Sequence, residues 1–370
     1  MSRSLRFAAA TLTAVTLLAA CGSSKAATTK GAATVGSVTD KAISADRCAE
    51  NRKAGKITYL TGFDFAATAS IVEVTMAKEK GYFEKMCLDV EMKAGFSAAN
   101  YPLVAANTAQ FASAGSYVET LNFAKDGAEF VVVAIDGKIG IDALLVKPEI
   151  KTLADLKGKK IGIKGALPPG EVAMLNKAGL KQGTDYEEVS LQGFDPNQHW
   201  ATPILALPVY KSNEPGQLDA KDVKYTMFDP AKEGIPGNFG LIYTNKKFHD
   251  EHPTAVQDFV RASMKGMADA IANPDEAVAV SFKKITEGGN KNFLKPDGEK
   301  FRWGIESKIV ADNTPKGEGI GLVHRADLDK LVAEYTKAGV FKAAPKVDGS
   351  YDEALIKGIY DKDGKVIWPA

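Results

Sequence analysis

Ile57-Thr58-Tyr59-Leu60-Thr61-Gly62-Phe63-Asp64-Phe65 sets the architecture of this chain, because an apolar strand runs there into a glycine-led turn. A helix is predicted next, over residues 70–80, where Ile71, Val74 and Ala77 recur at helical spacing. A buried strand is predicted at residues 130–135, and another at 161–163 is followed by a helix over 171–180. Strands separated by helices of this size predict an α/β fold with sheets covered on both faces.

The same alternation continues along the rest of the chain. Further strands are predicted at residues 88–92, 188–191, 204–209, 224–228 and 240–244, and further helices at 100–106, 253–284 and 326–337. From about residue 46 the chain is long enough for two globular lobes. The 47 Lys and Arg residues balance the 46 Asp and Glu residues, so the composition does not indicate a nucleic-acid partner.

The first 45 residues have the composition of an export segment and a linker. Arg3 and Arg6 precede an uncharged apolar run that is shorter than a membrane span and ends at Cys21. Residues 1–20 resemble a bacterial lipoprotein signal peptide, which implies cleavage before Cys21 and acylation of its thiol. The alternative is an ordinary signal peptide or an N-terminal anchor. Residues 21–45, rich in Ala, Ser, Thr, Gly and Lys, predict a flexible tether at the outer face of a membrane.

Cys48 and Cys87 are the two remaining cysteines once Cys21 is assigned to lipid. An exported protein meets an oxidising compartment, so an even pair predicts a disulfide. Such a bridge stabilises a fold by about 4 kcal/mol in the chain-entropy model. The alternative is two separately buried thiols.

Four segments resemble, in the right order, one family of transport proteins. They are Lys80-Gly81-Tyr82-Phe83-Glu84-Lys85 with Leu88-Asp89-Val90, residues 153–163, Asn213-Glu214-Pro215 and residues 248–262. They are similar to segments of the thiamine-pyrimidine and alkanesulfonate branch of the type II periplasmic binding proteins. The resemblance runs from about residue 56 to about residue 341.

This resemblance implies a two-lobed α/β fold with a two-strand hinge and a ligand held between the lobes. Lobe I would comprise residues 46–144 and 245–370, and lobe II residues 145–244, with residues 141–146 and 240–245 as the hinge. The protein would be a monomer, without a cofactor, that passes a small molecule to an ABC permease. Its contact with the membrane would be through lipid alone.

The candidate ligand-binding residues lie in loops that follow predicted strands. Open α/β sheets bind ligands at such strand ends, and a flat heterocycle packs well between aromatic rings. The candidates are Phe63, Asp64, Phe65, Ser116, Tyr117, Gly165, Ala166, Trp200, Tyr210, Asn213 and Glu214. Glu214 is expected to accept hydrogen bonds from an amine or ring N–H. The alternatives are that the rings belong to the core and that Glu214 merely favours a helix start.

The interval between Arg52 and Arg261 contains no arginine, which favours an uncharged or cationic ligand over sulfonate or nitrate. The resemblance therefore implies a nitrogen heterocycle of the thiamine-pyrimidine kind. One departure leaves the ligand open, because pyrimidine binders carry a histidine where this chain has Ile71. A flavin or an unrelated small amide remains a further possibility, and sulfonate, taurine or nitrate are the alternatives from the same family.

Enzyme signals are weak in this chain. Gly95-Phe96-Ser97-Ala98-Ala99 lacks the final glycine of a nucleophile elbow, and no histidine has an evident place beside it. His249 and His252 are three residues apart without a recognisable third metal ligand. We therefore expect a binding protein without a metal, and a hydrolase on the same scaffold as the alternative from another class.

Overall fold

The computed structural model describes residues 43–124 and 127–369. The predicted signal peptide, Cys21 and the predicted tether up to residue 42 lie outside the described residues. Ile43 is already buried, and the Ser44 side chain accepts a hydrogen bond from the Arg47 N–H at the start of the first helix. Across the described ranges, no helix combines the length and apolarity needed to cross a membrane.

Ten strands form two five-stranded sheets in the described part of the chain. The strands are β1 (Lys56–Leu60), β2 (Asp89–Lys93), β3 (Phe111–Ala114), β4 (Phe130–Gly137), β5 (Asp142–Val146), β6 (Lys160–Ile163), β7 (Glu187–Ser190), β8 (Ala206–Tyr210), β9 (Thr226–Phe228) and β10 (Phe239–Asn245). The first sheet has the order β2-β1-β3-β10-β4, and the second has the order β7-β6-β8-β5-β9. Four strands of each sheet run in one direction, and one strand, β10 in the first sheet and β5 in the second, runs antiparallel between two of them.

Helices lie between most pairs of consecutive strands and follow the last one, so the α/β prediction is confirmed. They are α1 (Ala45–Arg52), α2 (Val72–Glu79), α3 (Tyr82–Lys85), α4 (Ser97–Ala105), α5 (Tyr117–Phe123), α6 (Pro169–Lys177), α7 (Pro196–Trp200), α8 (Glu214–Asp219), α9 (Lys246–Glu251), α10 (Pro253–Ala272), α11 (Pro274–Gly288), α12 (Pro296–Asp312), α13 (Arg325–Lys337) and α14 (Glu353–Lys357). The helix predicted over residues 253–284 is two helices. Pro274 interrupts it, because proline lacks an N–H and disfavours helical geometry at Asn273, whose φ is −132° and ψ is 70°.

The chain passes from the first sheet to the second through residues 138–141 and returns through residues 229–238. The segments predicted as the hinge, residues 141–146 and 240–245, largely coincide with β5 and β10. Strand β5 pairs with β8 and β9, and β10 pairs with β3 and β4. The hinge remains a prediction. The predicted lobe boundaries remain a prediction.

Cys48 and Cys87 form a disulfide with a Cα–Cα distance of 5.3 Å, as the sequence predicts. The bridge ties α1 to the residues just before β2. Helix α1 is also held by Arg47, whose guanidinium donates two hydrogen bonds of 2.7 and 2.8 Å to the buried Asp258 carboxylate of α10. The start of the folded body is thus fixed at two places, to the segment before β2 by the disulfide and to α10 by Arg47.

Candidate functional site

A cavity of about 410 Å³ lies between loops that follow strands of both sheets. This volume is in the usual range for a small-molecule site. Gly62 and Phe63 follow β1, Ser116 follows β3, and Lys164 and Gly165 follow β6. The cavity therefore faces the carboxyl ends of parallel strands, which is where open α/β sheets bind ligands.

Seven of the predicted binding residues line this cavity, and four do not. Those that line it are Phe63, Ser116, Gly165, Ala166, Tyr210, Asn213 and Glu214. Those that the structure places elsewhere are Asp64, Phe65, Tyr117 and Trp200. The division separates residues at the strand ends from residues whose side chains turn back into the protein.

The four other residues have structural partners. The Asp64 carboxylate accepts hydrogen bonds of 2.7 Å from the backbone N–H groups of Phe65 and Asn290. Phe65 packs in a small apolar cluster, and Trp200 packs against the core of the second sheet. Tyr117 is fully buried, and its hydroxyl lies 2.6 Å from the Ser350 hydroxyl. Rings in these positions support the fold, which was the alternative interpretation of the sequence.

Glu214 lies in the cavity wall but is not a free acceptor. The Lys164 ammonium forms an ion pair with one carboxylate oxygen, and the Tyr210 N–H donates to the other at 2.9 Å. Burial alone would raise the pKa of Glu214, but the Lys164 ammonium and the Tyr210 N–H together lower it below its usual value. Glu214 is therefore a carboxylate that holds Lys164 at the cavity.

The Asn213-Glu214-Pro215 segment begins α8, with Pro215 in the first turn, where proline is tolerated. The side chains of Ser212 and Asn213 do not cap this helix and make other contacts. Ser212 donates to Glu306 at 2.7 Å, and the Asn213 carbonyl oxygen accepts from Arg302 at 2.6 Å. Both partners belong to α12.

Arg302 corrects the inference drawn from the arginine-free interval, because this residue from α12 lines the cavity. Its guanidinium lies 5.7 Å from the centre of the Phe63 ring and forms a buried ion pair with Glu299. Arginine is thus present at the site, but its charge is already balanced. The interval between Arg52 and Arg261 did not include all of the cavity-lining segments.

Glu119 and Asp142 are two further acidic residues in the cavity wall. Burial raises the pKa of Glu119 to about 7, against the effect of a 3.0 Å hydrogen bond from the Gly115 N–H. Burial also raises the pKa of Asp142 to about 7, partly offset by the nearby Lys211 ammonium. Neither carboxyl group forms an ion pair with any residue that the structure describes. Both are available to groups inside the cavity.

Aromatic rings from both sheets meet at one side of the cavity. Phe194, in the loop after β7, lies 5.7 Å from Phe63 and 5.9 Å from Phe96, ring centre to ring centre. The rings of Phe194 and Phe96 are parallel within 2°, and Phe293 packs edge-on against Phe63. Offset and edge-to-face contacts of this kind are the favoured arrangements for phenyl rings. The cavity therefore has an apolar, ring-lined wall beside its acidic groups.

The sequence did not indicate several residues of the cavity wall: Glu119, Phe123, Asp142, Lys164, Phe194 and Arg302. Lys164 and Phe194 follow predicted strands, so the rule that selected Gly165 could also have selected them. Asp142 was assigned to a hinge, and Arg302 lies in a helix that was not predicted. That these two residues line the cavity can be seen only in the tertiary structure.

Ser97 lines the cavity, and no histidine is among the residues that line it with Ser97. His249 is held by Asp250 and Asp352, at 3.0 Å from each. Within residues 43–124 and 127–369, no group of three His, Cys, Asp or Glu side chains is arranged to hold a metal ion.

Two mixed sheets around a cavity at their strand ends define the class, which is the fold of the periplasmic binding proteins. The periplasmic aliphatic sulphonate binding protein SsuA of Escherichia coli shares this fold with a TM-score of 0.56 at 13% identity, over 80% of this chain and 91% of SsuA. The chain belongs to the NMT1/THI5 like family, whose model matches residues 68–277.

Two curated relatives are similar to parts of the chain. The riboflavin-binding protein RibY of Chloroflexus aurantiacus is 34% identical over 147 residues, which is 37% of this chain and 40% of RibY. The chain thus matches about two fifths of that relative's length. The formylaminopyrimidine-binding protein of Halalkalibacterium halodurans is 25% identical over 256 residues, which is 65% of this chain and 74% of that protein.

Proposed function

We propose that this chain is the extracytoplasmic solute-binding protein of an ABC importer and that it binds a small nitrogen heterocycle bearing amino groups. A thiamine-pyrimidine precursor is the first choice. Membership of the NMT1/THI5 like family and the names of both relatives support a heterocyclic ligand. The proposal includes a lipid anchor at Cys21 and a permease partner, both inferred from the sequence and its resemblance.

The observation that carries the proposal is the charge balance of the cavity. Lys164 and Arg302 each form an ion pair with a carboxylate, whereas Glu119 and Asp142 form none among the described residues. Carboxyl groups in this state favour a ligand that donates N–H groups or carries positive charge. The ring-lined wall formed by Phe63 and Phe194 suits a flat ring.

The same charge balance disfavours the anionic alternatives. A sulfonate, taurine or nitrate group would need a cation that is not already neutralised, or several convergent N–H groups. It would also approach Glu119 and Asp142, which are acidic. A flavin is compatible with the same cavity wall, because a flavin also combines a flat ring with N–H groups.

Thermal unfolding with a ligand panel tests the proposal. The panel is 4-amino-5-hydroxymethyl-2-methylpyrimidine, riboflavin, taurine and ethanesulfonate. A ligand that binds the folded state alone raises the unfolding temperature in proportion to the logarithm of its excess over Kd. We expect one of the two heterocycles to stabilise the protein and neither sulfonate to do so. Stabilisation by a sulfonate without either heterocycle would contradict the proposal.

Two isosteric variants test the proposed contacts. Asp142→Asn and Glu119→Gln should each weaken heterocycle binding by about 10- to 100-fold, the range for losing a charge-assisted hydrogen bond. Glu171→Gln is the matched control: Glu171 is fully buried near Asp142 but does not line the cavity. Isothermal titration calorimetry should give the wild-type Kd for Glu171→Gln. Equal affinities in all four proteins would remove Glu119 and Asp142 from the site.

A further inference from the structure

A small annex lies beside the main cavity, behind the loop that follows β1. Its volume is about 50 Å³, room for about two or three non-hydrogen atoms. Gly62, Phe63, Ser97 and Tyr210 line both spaces, so the annex adjoins the cavity. This extension was not predicted from the sequence.

The annex wall contains a buried hydroxyl group that no described donor satisfies. Ser113, in β3, is 1% exposed, and no described residue donates to its Oγ. The Tyr59 hydroxyl donates to the Ser70 carbonyl, and its oxygen interacts with the Ser113 hydroxyl as an acceptor. Ser113 Oγ thus keeps its capacity to accept a hydrogen bond. A buried polar atom left unpaired costs free energy, so such atoms usually have a bound water or ligand group as partner.

Gly62 keeps the annex open. A Cβ atom at this position would lie 2.6 Å from Ser113 Oγ, which is too close, and 3.0 Å from Ser97 Oγ, which is a tight contact. The absence of a side chain therefore leaves two hydroxyl groups facing the same narrow space. Both can donate or accept, so they suit a group that does both, such as another hydroxyl.

We infer that the annex is a subsite for a short hydroxyl-bearing arm of the ligand, with Ser113 Oγ as its hydrogen-bond partner. This inference rests on the proposed function and specifies the substituent that the heterocycle carries. A hydroxymethyl group has two non-hydrogen atoms and fits the space, with its ring remaining beside Phe63 in the main cavity. Ser97 supplies a second hydroxyl next to the same arm.

A matched pair of probes tests the subsite: 4-amino-5-hydroxymethyl-2-methylpyrimidine and 4-amino-2,5-dimethylpyrimidine, which lacks the hydroxyl. We expect calorimetry to show that the wild-type protein prefers the first probe by about tenfold, the value of one hydrogen bond. Ser113→Ala should reduce this preference to about twofold or less and leave the Kd of the dimethyl probe unchanged. The unchanged second Kd also shows that the variant is folded.

Ser281→Ala is the matched control, because Ser281 Oγ is also buried, with no described residue donating to it, but lies in α11 outside both spaces. It should keep the tenfold preference. The subsite alone is overturned if both probes bind the wild-type protein equally, or if Ser113→Ala keeps the preference. If the wild-type protein binds neither probe but binds a sulfonate, the proposed function fails and the subsite fails with it.

Discussion

Glu119 and Asp142 in the cavity wall can change protonation near neutral pH. Burial raises the pKa of each to about 7. An N–H donor of the ligand stabilises the ionised form, so ligand binding should lower both pKa values. Binding near pH 7 therefore releases protons, and raising the pH favours it.

We predict that heterocycle affinity increases from pH 6.5 to pH 8.5 and levels off above. Calorimetry with the hydroxymethyl pyrimidine across this range measures the effect. A single group whose pKa is about 7 and falls on binding gives at most a tenfold change in Kd per pH unit. Glu119→Gln should flatten part of the slope, because one of the two titrating groups is gone.

The stability of the ligand-free protein should change in the opposite direction. A carboxyl group with a raised folded-state pKa contributes stability that is complete below its unfolded pKa and is lost as the pH rises through about 7. The unfolding temperature without ligand should therefore fall between pH 5 and pH 8, less steeply in Glu119→Gln. An affinity that is independent of pH in the wild-type protein would contradict this account.

Glu214 shows what a sequence can and cannot predict about a single residue. Its place at a helix start after a strand was predictable, because Pro215 and the strand pattern are local signals. Its ion pair with Lys164 was not, since the two residues are fifty positions apart. Whether a carboxylate is free to meet a ligand depends on tertiary partners, which local patterns do not contain.

Helix α12 contacts the loops of both sheets through buried carboxylates. Glu299 accepts from the Ala67 N–H at 2.7 Å, and Glu306 accepts from the Ala69 N–H at 2.8 Å. These N–H groups follow β1 of the first sheet. Glu306 also accepts from Ser212, which follows β8 of the second sheet, at 2.7 Å.

We predict that Ser212→Ala weakens ligand binding by about 3- to 10-fold, as expected for one hydrogen bond that holds the two sides of the cavity together. Ser307→Ala is the control, because the Ser307 hydroxyl in the same helix donates only to the Trp303 carbonyl among the described groups. Calorimetry of both variants with the same pyrimidine measures the difference. Equal Kd values would show that the α12 contact does not contribute to binding.

Helix α12 was not predicted, and its composition explains why. An amphipathic helix is recognised by apolar residues on its buried side. The buried side of α12 carries Glu299, Arg302 and Glu306, each 4% exposed or less, beside Trp303 and Val310, so charged residues interrupt the usual pattern. The longer α10 has a continuous apolar side that includes Val256, and it was predicted from its first residue.

The two sheets have the same arrangement of strands. Three parallel strands in each place their carboxyl ends at the shared cavity. The strand-end rule could therefore locate Phe63, Gly165 and Tyr210 from the sequence. It could not locate Asp142, which lies at the start of an antiparallel strand and reaches the cavity because its sheet neighbours place it there.

The two segments that join the sheets touch at a pair of glycines, Gly140 and Gly237. A Cβ on Gly237 would lie 2.8 Å from the Gly140 Cα and 2.9 Å from the Gly140 nitrogen. A Cβ on Gly140 would meet the Gly237 Cα at 3.6 Å, an ordinary contact. The contact is therefore asymmetric, and a methyl group is tolerated on one side of it only.

We predict that Gly237→Ala lowers the unfolding temperature and weakens ligand binding, whereas Gly140→Ala changes neither. The methyl group at Gly237 forces the two connecting backbones apart, at a cost of about 1–3 kcal/mol for an overpacked contact. Displaced connections also shift one sheet's loops relative to the other's at the cavity. Thermal unfolding and calorimetry of the two variants measure both effects. A Gly140→Ala variant as impaired as Gly237→Ala would mean that the connections do not depend on this close approach, and that the geometry of the cavity is set by the sheets and α12 instead.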